Sequence, residues 1–177
     1  MRQETLTGLL TPVLSDCEDP MIAKFLKFLP DSEAARGRSK DRSTKVGAIV
    51  IDDDYTIRIS GYNGMPRNIN DDVESRHMRP EKYLWMSHAE ENCVAQAARI
   101  GVSLRGCTIL LTSLFPCTTC ARLIIQSGIC RVIAPRYNVM GQDSSTRRDW
   151  DDQARVSREM LAEAGIQVFY YEFEREA

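Results

Sequence analysis

Two short segments of the chain carry residue types whose spacing could support metal chemistry. His88-Ala-Glu90 and Pro116-Cys117-Thr-Thr-Cys120 each stand at the predicted start of a helix. The two cysteines are three residues apart, so a helix places both thiols on one face. The partial positive charge at a helix N-terminus favours the thiolates that a metal requires. One imidazole and two thiolates supply three zinc ligands and leave a fourth position for water, which is the composition of a hydrolytic site.

Each segment taken alone is a weak signal. An isolated Cys-x-x-Cys is often half of a structural zinc site or a redox pair, and an isolated His-x-Glu predicts almost nothing. A closed structural site would need a fourth ligand, but the spare residues Cys93 and Cys107 lack ligand-like spacing and are interpreted as small core residues. Glu90 favours catalysis, because a structural zinc site has no use for an unligated carboxylate.

Length and composition predict one soluble domain. The chain has 177 residues, of which 43% are hydrophobic and 27% are charged, with a formal net charge of −2. An acidic balance argues against clamping long nucleic acid, and the short apolar runs argue against a membrane span. The first ten residues lack a signal-peptide pattern, so we expect a cytoplasmic protein whose cysteines form no disulfides.

Apolar periodicity and turn residues predict the elements that must position these groups. We expect helices at 20–29, 87–100, 117–127 and 151–164, and strands at 45–51, 56–60, 107–112, 131–134 and 166–171. The polar and basic residues 31–45 are predicted to form the helix end and a loop, residues 61–86 a loop-rich segment, and residues 138–149 a polar loop. From the first strand onward the order is β-β-α-β-α-β-α-β. The expected fold is a three-layer α/β/α sandwich with a central mixed sheet of about five strands.

The combination H-x-E…P-C-x-x-C is the known signature of zinc deaminases. The sequence resembles the cytidine deaminase superfamily and, within it, the deoxycytidylate (dCMP) deaminases. The resemblance covers about residues 20–172 of a single domain expected to span 1–177, and it rests on these further segments: Arg38-Ser-Lys-Asp41 before Val46-Gly-Ala48, Gly61-Tyr-Asn-Gly-Met-Pro66, Phe115-Pro-Cys-Thr-Thr-Cys120 and Gln126-Ser-Gly-Ile129. It implies a zinc ion held by His88, Cys117 and Cys120, with Glu90 as the catalytic acid/base.

The resemblance also implies substrate contacts, listed here by residue: Asn63, Arg38, Ser39, Lys40, Ala89, Phe115 and Tyr137. Asn63 lies between two glycines, where backbone can approach a ligand, and its amide suits a sugar hydroxyl or a pyrimidine carbonyl; a simple turn is the alternative. The segment from Arg38 to Lys40 belongs to a basic patch suited to a 5′-phosphate, or is a solvated loop. Phe115 packs on a base face or belongs to the core. Trp150 is interpreted as an anchor at a helix start.

One departure from the family pattern concerns a second metal. Related deaminases often have a cysteine, which binds a structural zinc, where this chain has Ile69. We therefore predict one zinc per chain. The family resemblance further implies a homohexamer, activation by dCTP bound with Mg²⁺, and inhibition by dTTP. Ile69 falls in a loop that the resemblance links to this regulation, so the departure at Ile69 argues against full retention of the dCTP and dTTP effects.

The sequence thus predicts hydrolytic deamination of dCMP to dUMP and ammonia, which supplies dUMP for thymidylate synthesis. Two alternatives stay open. One is a deaminase of the same fold acting on a 5-modified dCMP, another cytosine nucleotide or nucleoside, guanine or a tRNA adenosine, although an acidic pI of about 5.8 disfavours tRNA. The other is a non-catalytic zinc protein that binds nucleotides.

Overall fold

The computed structural model describes residues 12–14, 19–136 and 144–173. The strands are β1 (Pro12–Leu14), β2 (Gly47–Ile51), β3 (Ile57–Tyr62), β4 (Thr108–Leu111), β5 (Arg131–Pro135) and β6 (Gln167–Phe173). The helices are α1 (Pro20–Leu26), α2 (Leu29–Gly37), α3 (Lys82–Trp85), α4 (Ala89–Ile100), α5 (Thr118–Ser127) and α6 (Ser144–Glu163), with a 3-10 turn at Glu74–His77. No helix among these residues has the length and apolar character needed to cross a membrane.

The strands form one mixed sheet in the order β1-β6-β5-β4-β2-β3. Strands β4, β5 and β6 are parallel, whereas β2 runs antiparallel to both β3 and β4. The five predicted strands are confirmed, and β1 adds a sixth by pairing antiparallel to β6. The sheet therefore has the expected mixed character, extended by one short edge strand.

Helices cover both faces of the sheet. Alternate residues of β2 divide between two cores: Ala48 and Val50 pack on one side, and Ile49 and Ile51 on the other. The first core takes residues from α4, α5 and α6, and the second takes residues from α1 and α2. Strands buried on both faces are typical of a layered α/β fold, so the three-layer prediction is confirmed.

Two predicted segments differ in detail from the structure. The helix end predicted within 31–45 belongs to a separate helix, α2, which continues to Gly37. This helix has Pro30 in its first turn and fixes itself to the sheet through Ser32, whose hydroxyl donates to the Leu110 carbonyl at 3.2 Å. Residues 144–149, part of the other predicted loop, form the first turns of α6, a stretch whose polar sequence has no apolar periodicity.

Candidate active site

Helix α4 positions His88 and Glu90 through a close approach to β3. A Cβ atom on Gly61 of β3 would lie 2.5 Å from the Ala89 carbonyl oxygen and 2.7 Å from the Cys93 sulfur. Glycine is therefore required for the helix to sit this near the sheet. His88 immediately precedes α4, and its backbone N–H donates to the Glu91 carboxylate at 3.2 Å. Gly61 therefore allows α4 to pack closely on β3.

Helix α5 positions the two cysteines. Cys117 is the residue before the first helical turn, and Cys120 lies within that turn. Both thiols are buried. After β4 ends at Leu111, the chain passes through Pro116 and enters α5. The starts of α4 and α5 therefore lie close together, because the ligand atoms of His88, Cys117 and Cys120 form one cluster there.

The three candidate ligands form one cluster. The ligand atoms of His88, Cys117 and Cys120 all lie within 4.8 Å of one another, and each sulfur is 3.4 Å from His88 Nδ1. Hydrogen bonding from Cys120 and His88 lowers the pKa of Cys117 to about 4, and the bond with Cys117 raises the pKa of His88 to about 9. Two soft sulfurs and one imidazole on three converging positions fit a zinc ion, with room for a fourth ligand from solvent or substrate.

Glu90 lies beside this cluster but is not part of it. Its side chain is 4% exposed, and burial raises its pKa, opposed by the nearby His88. A buried carboxyl with a raised pKa can both accept and return a proton near neutral pH. The arrangement thus supplies a proton carrier next to a metal site.

A cavity of about 630 Å³ opens onto the cluster. Its lining consists of Asp41, Thr44, Val46, Asn63, Arg79, Lys82, Tyr83, Met86, Ser87, His88, Ala89, Glu90, Leu114, Phe115, Cys117 and Trp150. Three of the predicted substrate contacts, Asn63, Ala89 and Phe115, are in this lining, whereas Tyr137 lies outside the described residues.

The Asn63 amide is occupied by protein groups. Its oxygen accepts from the Ser39 hydroxyl and from the Val46 N–H, both at 2.8 Å. Its nitrogen donates to Asp41 at 3.1 Å and to the Thr44 carbonyl at 2.8 Å. These four bonds complete the hydrogen-bonding capacity of an amide side chain. Asn63 therefore joins the 39–46 segment to the end of β3 and shapes the cavity wall.

The structure does not bring Arg38 and Lys40 to the cavity. Ser39 is buried and bonds to Asn63, whereas neither of its two neighbours belongs to the cavity lining. The Lys40 side chain is 73% exposed, and its ammonium lies 2.6 Å from the Asp71 carboxylate. Arg38 is exposed and does not belong to the lining. Of the three residues expected to bind phosphate, Ser39 is connected to the cavity wall through its hydrogen bond to Asn63.

Phe115 has a face toward the cavity and a role in the core. It is 2% exposed, and its ring stacks on Tyr170 with centroids 5.8 Å apart. The Arg158 guanidinium lies 4.8 Å from the Phe115 ring centroid. The two interpretations of this residue from the sequence are therefore both compatible with its position.

Sequence reasoning missed a buried ion pair in the cavity wall. Lys82 and Asp41 are 5% and 4% exposed, and the ammonium lies 2.8 Å and 3.0 Å from the two carboxylate oxygens. Burial alone would raise the pKa of Asp41, but hydrogen bonds from Lys82 and from the Ser43 and Thr44 amides lower it below its ordinary value. Nothing in the local sequence around Lys82 signals its burial.

Trp150 also differs from its interpretation as a helix-start anchor. It lies inside α6, lines the cavity, and stacks on the ligand His88 with ring centroids 6.0 Å apart and an interplanar angle of 29°. An aromatic ring in this position covers one side of the imidazole. It contributes to the dry wall of the site.

Comparison with known proteins agrees with this geometry. Residues 24–135 match the model of the cytidine and deoxycytidylate deaminase zinc-binding region. An uncharacterized deaminase of Aliivibrio fischeri is 38% identical over 149 residues, which cover 84% of this chain and 94% of that protein. The deoxycytidylate deaminase of Homo sapiens is 39% identical over 114 residues, or 62% of each chain. A probable deoxycytidylate deaminase of Drosophila melanogaster is 42% identical over 116 residues, which are 60% of this chain and 56% of that protein.

The chain therefore spans little more than half the length of these two named deoxycytidylate deaminases. The crystal structure of a dCMP deaminase from cyanophage S-TIM5, in complex with dCMP and dUMP, has a TM-score of 0.62. At 24% identity over 86% of this chain and 98% of that one, this likeness concerns the fold. The match to the zinc-binding region contains the candidate metal ligands and Glu90, and the chain belongs to the cytidine and deoxycytidylate deaminase family.

Proposed function

We propose that the protein is a zinc-dependent deaminase that converts dCMP to dUMP and ammonia. The observation that carries the proposal is the cluster of His88, Cys117 and Cys120 beside the buried Glu90, which lines an open cavity. The named deoxycytidylate deaminases among its relatives support a cytosine nucleotide as the substrate.

In this proposal His88, Cys117 and Cys120 hold the zinc ion. A zinc ion bound by these residues would activate a water molecule as the nucleophile. Glu90 accepts a proton from that nucleophile and delivers it to N3 of the cytosine ring. Glu90 then takes the proton of the hydroxyl group now bound to C4 and passes it to the amino nitrogen, so that the C4 carbonyl forms as the C–N bond breaks and ammonia leaves. Trp150 and Leu114 line the cavity and exclude bulk water from this exchange.

We expect one zinc ion per chain. Elemental analysis of the purified protein should find about one equivalent, and Cys120→Ala should lose most of it, because the remaining imidazole and thiolate make an incomplete site. Cys130→Ala is the matched control, since that thiol precedes β5 and bonds to the Gly106 carbonyl rather than to the cluster. Two tightly bound zinc ions in the wild type, or full metal content in Cys120→Ala, would contradict this assignment.

We expect dCMP to be preferred over deoxycytidine by at least about a hundredfold in kcat/KM. Each charge-assisted hydrogen bond to a phosphate contributes about 1.5–3 kcal/mol, and 1.4 kcal/mol corresponds to a tenfold change. Two such hydrogen bonds from one arginine to the phosphate are enough to produce a hundredfold difference in kcat/KM. Steady-state kinetics with both substrates measure it. Equal values of kcat/KM would reject a nucleotide substrate and favour a nucleoside.

A homohexamer, activation by dCTP with Mg²⁺, inhibition by dTTP and a cytoplasmic location stay predictions of the family resemblance. So does the acceptance of 5-modified dCMP as an alternative substrate. Ile69, which stands where related chains have a metal-binding cysteine, is 38% exposed. A single zinc ion per chain stays a prediction, and the cluster at His88 is the group of three metal-binding side chains found within the described residues.

A further inference from the structure

We propose that Arg79 binds the 5′-phosphate of the substrate and so makes the site selective for a nucleotide over a nucleoside. This inference rests on the proposed function and names the group that recognises the phosphate. Arg79 takes the role that the sequence suggests for Arg38 and Lys40, neither of which lines the cavity.

The first step concerns which cations line the cavity. Among the described residues these are Arg79, Lys82 and the imidazole of His88. His88 is engaged with Cys117 and Cys120. Within the described part of the chain, Arg79 and Lys82 are therefore the candidates for contact with a phosphate.

Lys82 is already neutralised. Its ammonium has three N–H groups, and these meet the two carboxylate oxygens of Asp41 and the hydroxyl of Ser43. To bind a phosphate, Lys82 would have to abandon a buried carboxylate, which is costly. The ion pair also cancels the negative charge that Asp41 would otherwise present to an incoming anion.

Arg79 is in the opposite situation. It is exposed, and its guanidinium makes no hydrogen bond or ion pair with any side chain that the structure describes. Its recorded neighbour is the ring of Tyr83, 6.0 Å from the guanidinium, and Tyr83 is 47% exposed in the same cavity wall. A planar guanidinium of this kind is available for bidentate contact with a phosphate.

The cavity lining includes both deeply buried and exposed residues, which could contact the base and the phosphate of a nucleotide, respectively. Its inner end is marked by Glu90, which is 4% exposed, and by the candidate zinc ligands. Its outer end includes the exposed residues Arg79 and Tyr83. With the cytosine C4 atom at Glu90, the deoxyribose and its 5′-phosphate extend toward solvent, where Arg79 is, among the described residues of the lining, a cation without a carboxylate partner.

The test compares Arg79→Gln with Arg38→Gln and Lys40→Gln. In Arg79→Gln we expect the ratio of kcat/KM for dCMP over deoxycytidine to fall by about 10- to 100-fold, chiefly through KM for dCMP. Arg79→Lys should recover part of the loss, because an ammonium keeps the charge but not the bidentate geometry. Arg38→Gln and Lys40→Gln should retain the wild-type ratio. Deoxycytidine, which has no phosphate, is the internal reference for folding and for the chemical step.

Product binding gives a second readout that needs no turnover. Arg79→Gln should weaken the equilibrium binding of dUMP by the same 10- to 100-fold and leave the binding of deoxyuridine as it is in the wild type. If the wild type prefers dCMP but Arg79→Gln keeps that preference, the inference is overturned. A loss of preference in Arg38→Gln or Lys40→Gln alone would also overturn it and would place the phosphate elsewhere. A wild type without preference would instead reject the proposed nucleotide substrate itself.

Discussion

Replacing Glu90 with glutamine should lower kcat for dCMP by about 10²–10⁴-fold, the range typical of losing a general acid–base group. Glutamine has nearly the same size as glutamate, so the buried position beside the cluster stays filled. The amide cannot accept a proton from the nucleophile or pass one to the ring nitrogen. We expect kcat to fall much more than the binding of dCMP, as measured by steady-state kinetics and by equilibrium binding.

Two controls accompany this measurement. The zinc content of Glu90→Gln should equal that of the wild type, because the carboxylate is not among the clustered ligand atoms. Glu159→Gln is the matched substitution, since the Glu159 carboxylate is 61% exposed and pairs with Arg155 on α6. Its kcat should match the wild type. Glu90→Gln turnover within a few fold of the wild type would mean that another group carries the proton.

Patterns that are local in the sequence predicted much of the fold and the metal cluster. The spacing of Cys117 and Cys120 is a property of one helical turn, and His88 and Glu90 stand at the start of another. Such short patterns need little knowledge of tertiary structure. The sequence also singles out the segment that contains Gly61, but it does not reveal why glycine is needed there. Gly61 allows close packing of α4, which is distant in the sequence.

The remaining parts of the site depend on contacts between distant segments. Arg38 and Lys40 form a charged patch in the sequence, yet neither lines the cavity, and Ser39 between them is buried against Asn63. Arg79 stands in a loop-rich segment with no motif to mark it. It becomes a candidate ligand contact only because the 79–83 segment folds against the 41–46 segment through Lys82 and Asp41.

The largest predicted effect on stability concerns that ion pair. Lys82→Met should lower the free energy of unfolding by about 3–5 kcal/mol, the cost of leaving a buried charge without its partner. Methionine is similar in length to lysine and fills the same space, so lost packing contributes little. Asp41 would keep its bonds from the Ser43 and Thr44 amides and from Asn63, but it would lose the ammonium that meets both its oxygens. Denaturation by urea at pH 7 measures the difference.

The pH dependence separates the lost charge pair from a general loss of packing. In the wild type the pKa of Asp41 is held below its ordinary value, so its stabilising contribution is present at neutral pH and is lost only as pH falls through that lowered pKa. Without Lys82, burial raises the pKa of Asp41, and protonation removes the unpaired charge. The deficit of Lys82→Met should therefore narrow as the pH falls from 7 toward about 4, and Lys82→Met/Asp41→Asn should recover part of it at pH 7. Lys40→Met removes a lysine from a pair that is largely exposed, and it should leave the free energy of unfolding nearly unchanged. A Lys82→Met deficit no larger than that of Lys40→Met, or one independent of pH, would show that this ion pair does not hold the cavity wall in place.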